Sequence, residues 1–466
     1  MKLKYLLDGV SELHESFFGK ERLLQQDISA ICTDTRNIKN NSLFVAIAGL
    51  NFDAHNAIPE VLNKGAKAVV GDRDLNLDYK IPYIKVSNSR EALSAVAANF
   101  YGNPAKKLKM IGITGTDGKT TTANMTFSVL KSVGKKVGVI STLGVKMCDR
   151  TLDTGFHVTN PEPLELQSYL RKMVDEGCEY CVLEVTSHGI DQRRIGGINF
   201  DVSVITNVTR DHLDYHKTFK NYLFTKAKLF ENSKVKIANE ECASYKKLKE
   251  LFGDLICFRT DVGWMDDASL KHMERFFPGR YNLANANAAR AVCRALGVTD
   301  EQINIGIKAL KKVTGRYDVI DVGAKQVIID FAHTPNALLS LLSEIRKKYE
   351  SITLVFGCAG ERDAGKRPLM GKIASKYCKN IILTSEDPRS EDPLEIIRQI
   401  KGGISGKARV FEISDRKEAI EFAVAKKLNE SDVVLVTGKG HERSMNVGGV
   451  EYPWSDGGVV KSVLDL

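Results

Sequence analysis

Residues 115–121 read Gly-Thr-Asp-Gly-Lys-Thr-Thr, which are the residue types and the order of a phosphate-binding loop. An apolar run, Met110 to Ile113, precedes the loop, and a helix-compatible stretch, Thr120 to Val133, follows it. A strand, a glycine loop and a helix N-terminus together present backbone N–H groups to phosphate oxygens. Lys119 can reach terminal phosphates, and Thr120 can ligate Mg²⁺. The sequence therefore predicts a nucleotide site at this loop.

Two positions depart from the common pattern of such loops. Ile113 stands where most of them have their first glycine, so this loop is shorter. Asp117 places an acid beside the phosphates, which weakens anion binding unless the side chain points away or helps to hold a metal. Both alternatives for Asp117 are open from the sequence.

Other residues with potential chemistry follow later apolar runs. Glu184 interrupts a buried-strand pattern near its end, where it would hold Mg²⁺ or lie exposed on an edge strand. Asp211-His212-Leu213-Asp214-Tyr215-His216 has the density of histidine and aspartate that is typical of a site. Lys226 lies in an amphipathic stretch, Tyr222 to Phe230, and the pattern alone favours a solvated lysine there.

The elements that must position these residues are short apolar runs separated by longer amphipathic stretches. This alternation predicts an α/β protein with parallel sheets and crossover helices. The late runs read as a separate doubly wound unit. The runs are 44–48, 68–71, 83–86, 110–113, 137–140, 181–185, 202–206, 235–238, 327–331, 352–357, 381–384, 410–413 and 433–437.

The chain has 466 residues, which is too long for one typical core, and we predict three domains. Turn formers near residues 101–104 and 314–316 place the boundaries, which gives domains 1–103, 104–314 and 315–466. The second is expected to be a P-loop ATPase domain with a parallel sheet. The third is expected to be Rossmann-like.

Charge and hydropathy disfavour several classes of protein. The net charge of +9 comes without any basic tract interleaved with aromatics, which favours an anionic small substrate over nucleic acid. No apolar run reaches the roughly 18 residues that span a bilayer, and no secretory leader is apparent. Nine scattered cysteines are typical of reduced thiols. We expect a cytoplasmic protein with neither a nucleic-acid nor a membrane partner.

Together these segments resemble the Mur ligase family over nearly the whole chain, and within it the MurE type. Residues 115–121 are similar to the short P-loop of that family, which usually has Asn at the Asp117 position. Residues 184–188 look like its E-V-S-S-H stretch, and residues 211–216 match its D-H-L-D-Y-H segment. Residues 438–442 match its G-K-G-H-E segment.

This resemblance implies that Lys226 is carbamylated, which turns a cation into an anion able to approach Mg²⁺. It implies a catalytic group of Lys119, Glu184, His212 and Lys226, and metal contacts from Thr120, Glu184, His212 and Lys226. ATP contacts are implied for the loop and for two later segments. These residues are Gly115, Thr116, Asp117, Gly118, Lys119, Thr120, Thr121, Asn282, Asn285, Arg316, Asp330 and His333.

The resemblance also implies that domain 1–103 binds UDP and that domain 315–466 binds the incoming amino acid. Asn160 stands where the family has Thr, but it keeps a hydrogen-bonding group. The implied contacts to the UDP-linked muramyl dipeptide are Thr35, Leu50, Asn51, Phe52, Thr159, Asn160, Thr186, Gln192 and Arg194.

Residues 386–389 are expected to select the amino acid. Members that add meso-diaminopimelate have D-N-P-R there, and this chain has E-D-P-R. Arg389 suits a distal carboxylate as a bidentate fork, whereas Asp387 would favour the ammonium of L-lysine. We favour diaminopimelate, which carries both groups, over lysine; a surface ion pair of Arg389 with Glu391 or Asp392 is the alternative. The implied set is Arg362, Glu386, Asp387, Pro388, Arg389, Gly438 and Glu442.

The resemblance therefore implies an ATP- and Mg²⁺-dependent amide ligase of peptidoglycan synthesis. It would act as a monomer, phosphorylate UDP-N-acetylmuramoyl-L-alanyl-D-glutamate and join the acyl phosphate to a free diamino acid. Alternatives within the superfamily are an archaeal pseudomurein-type ligase and an enzyme like folylpolyglutamate synthase. An alternative of another class is a P-loop ATPase that forms no new bond and needs neither the peptide nor the amino acid.

Overall fold

The computed structural model describes residues 1–10, 23–49, 52–75, 83–148, 150–152 and 159–466. Its strands form three large sheets, taken from three successive parts of the chain, and one small hairpin. Within the described part of the chain, no helix is both long and apolar enough to cross a membrane.

The first sheet has four parallel strands in chain order. Leu43 and Val45 pack toward the helices Leu3–Leu6 and Ser89–Phe100, whereas Phe44 packs toward Ile58–Asn63. This alternation follows from the two-residue period of a strand, and it buries the sheet on both faces. The strands are β1 Ala30–Cys32, β2 Ser42–Val45, β3 Ala66–Gly71 and β4 Tyr83–Lys85.

The central sheet has eight strands in the order β12-β11-β10-β5-β9-β6-β7-β8 and is parallel except at β7 and β8. The strands are β5 Lys109–Thr114, β6 Val137–Ser141, β7 Gly144–Met147, β8 Arg150–Leu152, β9 Tyr180–Glu184, β10 Phe200–Ile205, β11 Ser233–Asn239 and β12 Ile256–Phe258. Because β5 lies between β9 and β10, the loop after β5 lies at the middle of the sheet edge.

Helices cover both faces of the central sheet. The helix Lys119–Ser132 begins directly after the glycine loop and packs against Arg280–Ala295 and Asp300–Ala309. The remaining helices of this region are Pro163–Asp175, Ser187–Asp191, Leu213–His216, Phe219–Ala227, Tyr245–Phe252 and Asp267–Phe276.

The last sheet has six strands in the order β13-β14-β18-β15-β16-β17, and only β13 is antiparallel to its neighbour. The strands are β13 Asp318–Val322, β14 Lys325–Asp330, β15 Ile352–Phe356, β16 Asn380–Leu383, β17 Arg409–Glu412 and β18 Val433–Thr437, and the hairpin is β19 Ser444–Val447 with β20 Val450–Pro453. The helices here are Pro335–Lys348, Lys366–Tyr377, Pro393–Lys401, Arg416–Phe422 and Asp456–Val463.

The predicted α/β class is confirmed, and every apolar run predicted as a strand overlaps a strand. The strands that the sequence did not predict are short or lie at sheet edges. The edge strand β13, Asp318–Val322, carries acids at its first and fourth positions and is only partly buried, so it lacks the apolar run that marks a central strand. The domain boundaries remain predictions.

Candidate active site

A cavity of about 910 Å³ is lined by residues of both the central and the last sheet. From the central sheet come the loop after β5 and the ends of β9 and β10. From the last sheet come the loops after β14, β15, β16 and β18. Parallel α/β sheets bind ligands at the carboxyl ends of their strands, and here two such edges face one cavity.

The glycine loop is shaped by close neighbours. Gly115 and Gly118 have φ of +154° and +85°, and a Cβ at Gly118 would overlap the Asn285 amide. The loop backbone is held from the end of β10: the Asp117 N–H donates to Asn207 Oδ1 at 2.9 Å, and Thr206 Oγ1 donates to the Asp117 carbonyl at 2.7 Å. These neutral hydrogen bonds fix the loop before any ligand is considered.

Lys119 and Thr120 open the helix that follows the loop. Lys119 Nζ donates to the loop's own carbonyls, to Gly115 at 3.1 Å and Thr116 at 2.9 Å. Thr120 Oγ1 accepts from Arg316 Nη2 at 3.2 Å, so a guanidinium from the last part of the chain reaches the phosphate loop. The same guanidinium lies 4.3 Å from the ring centroid of Phe331.

Glu184 ends β9, and its side chain is only 1% exposed. Its carboxylate accepts from Thr120 Oγ1 at 3.0 Å, Thr142 N–H at 3.1 Å and Thr142 Oγ1 at 3.1 Å. The alternative of an exposed edge-strand glutamate is therefore wrong, because β9 lies inside the sheet beside β5. The end of β9 thus places the Glu184 carboxylate at the cavity wall.

Lys226 is buried, with 1% exposure, so the solvated lysine that the pattern favoured is wrong. Its ammonium donates to the Gly115 carbonyl at 2.7 Å and lies 4.6 Å from the Tyr222 ring centroid. Burial and the neighbouring charge of Lys119 hold the pKa of Lys226 well below its usual range. The inner face of the helix Phe219–Ala227 abuts the phosphate loop, and a hydropathy pattern does not reveal such a neighbour.

Histidines surround Asp211 at the same edge. His212 Nε2 lies 3.1 Å from Asp211 Oδ2, and His333 Nε2 lies 4.0 Å from the same oxygen. Burial lowers the pKa of His212 to about 2, although Asp211 opposes the shift, and burial lowers the pKa of His333 to about 4. Both imidazoles are therefore neutral at pH 7 and retain a lone pair.

The Asp117 carboxylate is bound by residues of the last part of the chain. It accepts from Thr334 Oγ1 at 3.1 Å and from Asn336 Nδ2 at 2.8 Å. Burial raises the pKa of Asp117, against the effect of the Asn336 hydrogen bond and the Lys119 charge. Both side-chain oxygens therefore have partners in the last part of the chain, and Asp117 also lines the cavity.

Several residues expected to contact the dipeptide lie around Glu184, at the end of β9. Asn160 is buried, and its amide donates to the Glu184 carbonyl at 2.7 Å and accepts from Thr186 N–H at 2.8 Å. Arg194 Nη1 donates to the Asn160 carbonyl at 2.8 Å. The Asn160 side chain thus ties its own segment to the end of β9, and Thr159, Thr186, Gln192 and Arg194 line the cavity around it.

The loop after β16 is built from charged residues. Asp387 Oδ1 accepts from Lys439 Nζ at 2.7 Å and from Asn446 N–H at 2.9 Å, and Lys439 also lies 2.6 Å from Glu442. Arg389 Nη1 donates to the Gly360 carbonyl at 3.2 Å. The carboxylate of Asp387 therefore already has a cation within the protein, which it shares with Glu442.

Two further groups at this loop bear on recognition. Glu391 pairs with Arg367 at 2.8 Å and Asp392 caps the helix Pro393–Lys401, so the surface pairing expected as an alternative for Arg389 is not what the structure shows. Burial raises the pKa of Glu386 to about 8. Burial lowers the pKa of Arg362, and the charge of Arg389 lowers it further, so these two cations repel each other.

Most predicted site residues meet at this cavity. Thr35 and Phe52 lie in the first sheet region and do not line it, and Leu50 and Asn51 lie outside the described residues. Gly115, Lys226, Pro388 and Gly438 do not line it either. The predicted residues that do line it are Thr116, Asp117, Gly118, Lys119, Thr120, Thr121, Thr159, Asn160, Glu184, Thr186, Gln192, Arg194, His212, Asn282, Asn285, Arg316, Asp330, His333, Arg362, Glu386, Asp387, Arg389 and Glu442.

Sequence reasoning missed several residues that shape the site. Thr142 binds Glu184 from the loop after β6, and no pattern marks it. Arg416 forms a fully buried pair with Asp456 at 2.7 Å and donates to the Thr437 carbonyl at 2.9 Å. Lys439 lies within residues 438–442, the G-K-G-H-E segment, so the family resemblance could have identified it.

Comparisons with known proteins agree with this arrangement. Three family models match: the Mur ligase family catalytic domain over residues 27–101, the Mur ligase middle domain over 113–260, and the Mur ligase glutamate ligase domain over 315–440. UDP-N-acetylmuramoyl-L-alanyl-D-glutamate–2,6-diaminopimelate ligases from Cytophaga hutchinsonii and Aquifex aeolicus are 35% and 39% identical. These alignments cover 94% of this chain in both cases, and 95% and 94% of the relatives. A solved structure of a ligase with the same name has a TM-score of 0.62 at 25% identity and covers 100% of this chain and 99% of its own.

Proposed function

The chain belongs to the Mur ligase family, and we propose that it joins 2,6-diaminopimelate to UDP-N-acetylmuramoyl-L-alanyl-D-glutamate at the expense of ATP. The names of its full-length relatives support this activity. One structural observation carries it: a phosphate loop and the arginine pair Arg362 and Arg389 line the same cavity. A nucleotide and an acidic amino acid can therefore bind within reach of one peptide carboxylate.

ATP would bind with its phosphates on the loop amides and on the N-terminus of the helix Lys119–Ser132. The Lys119 ammonium now donates to loop carbonyls, and it would turn to the terminal phosphate. Arg316 already lies at the loop and would offset charge on the transferring group.

Mg²⁺ fits the donors beside the loop, because the Thr120 hydroxyl and the Glu184 carboxylate are oxygen ligands on the cavity wall. Among the described residues, no three His, Cys, Asp or Glu side chains form a group able to hold a metal alone. The remaining ligands would be phosphate oxygens and water, which Mg²⁺ commonly keeps. The ion would neutralise charge on the phosphates.

Carbamylation of Lys226 is favoured by its environment. Only a neutral amine can attack carbon dioxide, and burial holds the pKa of Lys226 well below its usual range. The product is an anion that would no longer repel the nearby Lys119 or a metal ion. His212, a neutral imidazole beside Asp211, would be a second group on the metal side.

The chemistry has two steps. An oxygen of the D-glutamate γ-carboxylate attacks the γ-phosphorus, the bond to ADP breaks, and an acyl phosphate forms. The amine of the amino acid then attacks the acyl carbon, loses a proton and displaces phosphate to leave the amide. Phosphorylation is needed because a carboxylate is a poor electrophile, and the two facing sheet edges would keep water from the acyl phosphate.

The choice of diaminopimelate follows from the charge balance of the last loop. Asp387 already has Lys439 as a partner, so it does not require the ammonium of a substrate. Arg362 and Arg389 instead favour a distal carboxylate, which diaminopimelate has and lysine lacks. The same proposal includes a monomer acting in the cytoplasm.

The test is ADP release by the full chain with ATP, Mg²⁺, UDP-muramyl dipeptide and one amino acid at a time. We expect rapid release with meso-diaminopimelate, weak release with lysine or ornithine, and a tripeptide product by mass spectrometry. Equal ADP release without the dipeptide and the amino acid would identify a plain ATPase and overturn the proposal.

A further inference from the structure

Asp117 belongs to the phosphate loop, yet both of its side-chain oxygens are engaged by the last part of the chain. Thr334 Oγ1 donates to Oδ1 at 3.1 Å, and Asn336 Nδ2 donates to Oδ2 at 2.8 Å. Thr334 caps the helix Pro335–Lys348, and Asn336 is the second residue of that helix. The contact therefore joins the start of a helix on the last sheet to the loop of the central sheet.

The backbone of Asp117 is held by residues that follow β10 of the central sheet. Asn207 accepts its N–H at 2.9 Å, and Thr206 donates to its carbonyl at 2.7 Å. Because these bonds fix the peptide at residue 117, they also set the position from which the side chain meets Asn336. A change in the loop would therefore displace the carboxylate oxygens that accept from Thr334 and Asn336.

The helix start also carries cavity residues with it. His333 directly precedes the cap residue Thr334, and its carbonyl accepts from Lys366 Nζ at 2.8 Å. His333 Nε2 lies 4.0 Å from Asp211 Oδ2, and both residues line the cavity. Moving the helix would move these groups relative to the phosphates.

We propose that Asp117 is a positioning residue, which couples the conformation of the phosphate loop to closure of the last domain through an acid–amide pair with Asn336. The inference deepens the proposed function, because closure is what would bring the amino-acid site to the nucleotide. It needs no contact between Asp117 and the phosphates.

Either residue of an acid–amide pair can carry the acid, so exchanging the acid and the amide between positions 117 and 336 gives a specific test. Asn336→Asp sets two carboxylates against each other at a partly buried contact. Adding Asp117→Asn restores an acid–amide pair with its sense reversed, and the Thr334 hydroxyl can still donate to the amide oxygen. The substitution Asn336→Asp alone should not weaken its helix, since an acid near a helix N-terminus is favourable.

The experiment measures two quantities on the full chain and its variants. One is the decrease in radius of gyration by small-angle X-ray scattering on adding ATP with Mg²⁺. The other is kcat/KM for ligation. We expect Asn336→Asp to abolish most of the ATP-induced compaction and to lower kcat/KM on the order of 10- to 100-fold, as for loss of a hydrogen bond to a charged group.

The double variant should return to within about 5-fold of the parent chain, the non-additive result that coupled residues give. Leu339→Asp is the control, because it adds the same charge at an exposed position of the same helix and should change neither quantity. A double variant as impaired as Asn336→Asp, or undiminished compaction in Asn336→Asp, would overturn the coupling. If no variant ligates but compaction follows the expected pattern, the proposed function fails and the coupling stands.

Discussion

The phosphate loop and the amino-acid loop face the same cavity but are built by different means. Residues 115–118 are held through their backbone groups, whose partners are the neutral side chains of Thr206 and Asn207 and the ammonium groups of Lys119 and Lys226. Residues 386–389 are held by charges, with Asp387 on Lys439, and two non-glycine residues there, Asp387 and Arg389, have φ of +43° and +54°. Such backbone is costly for residues with a Cβ and persists only where its surroundings enforce it.

The difference follows from what each loop binds. A phosphate group is the same in every nucleotide, so backbone amides can recognise it and the loop can be rigid. The amino-acid loop must distinguish an amino acid that has a distal carboxylate from one that lacks it. Only charged side chains do this strongly. We infer that substitutions at the first loop alter turnover, whereas substitutions at the second loop alter the choice of substrate.

Lys226→Ala should have the largest effect. It removes the buried amine behind the phosphate loop, and we expect kcat to fall by about 100-fold or more, in the range seen when an electrostatic group is lost from a catalytic site. Short carboxylic acids should restore part of the rate by replacing the carbamate. Lys228→Ala, two residues away, is the matched control and should retain activity; full activity in Lys226→Ala would remove the carbamate from the account.

Arg389→Met should come next, and it should alter substrate choice. We expect the KM for diaminopimelate to rise on the order of 10- to 100-fold, because a hydrogen bond to a charged group is lost. The KM for ATP should stay within about 3-fold. Steady-state kinetics with each substrate varied would measure both, and Arg398→Met, on the exposed pair with Glu395, is the control. An equal rise in KM for diaminopimelate and for ATP would contradict the inferred difference between the two loops.

Low pH should lower the stability of the folded chain, because partly buried histidines line the cavity. Burial lowers the pKa of His188 and of His333 to about 4 from an ordinary 6.5. The unfolded chain therefore binds more protons than the folded one between pH 6.5 and 4, and stability falls as the pH drops through this window. We expect each histidine to contribute up to about 2 kcal/mol of this loss at pH 5.

Urea denaturation of the nucleotide-free chain at pH 7 and pH 5 measures this effect. In His188→Gln the loss between these two values should shrink, since one titrating group is gone. An unchanged pH dependence in that variant would show that other groups cause the loss.

Asp387→Asn should have the smallest effect, because it restores the residue usual in diaminopimelate-adding members. An amide oxygen can still accept from Asn446 N–H, and Lys439 keeps Glu442 as a partner. We expect less than about a 5-fold change in the ratio of kcat/KM for diaminopimelate to that for lysine, as for one net hydrogen bond. A shift of about 10-fold or more against lysine would mean that the Asp387 charge selects the substrate.

The sequence predicted the parts of this site that depend on local pattern. Apolar runs located the central strands, and strand ends located Glu184. Local pattern failed for Lys226, since lysine scores as polar wherever it stands, and only the resemblance singled it out. Thr142 and Arg416 were missed because their contacts join segments distant in the chain. The edge strand β13 and the hairpin β19–β20 were missed because they lack apolar runs.

Asp117 shows a further limit of sequence reasoning. The sequence did not reveal the partners of its carboxylate, which are Thr334 and Asn336, more than two hundred positions away. Such a contact arises only when two sheets meet, so no window of sequence contains it.

The most direct test of the account follows the oxygen atoms of the peptide carboxylate. UDP-muramyl dipeptide labelled with ¹⁸O in the γ-carboxylate of D-glutamate would be incubated with the chain, ATP, Mg²⁺ and meso-diaminopimelate. Because an acyl phosphate transfers one carboxylate oxygen to the leaving group, we predict one ¹⁸O atom in each phosphate released, measured by mass spectrometry. Unlabelled phosphate would contradict the account, since it would mean that water, and not the peptide acid, receives the phosphoryl group.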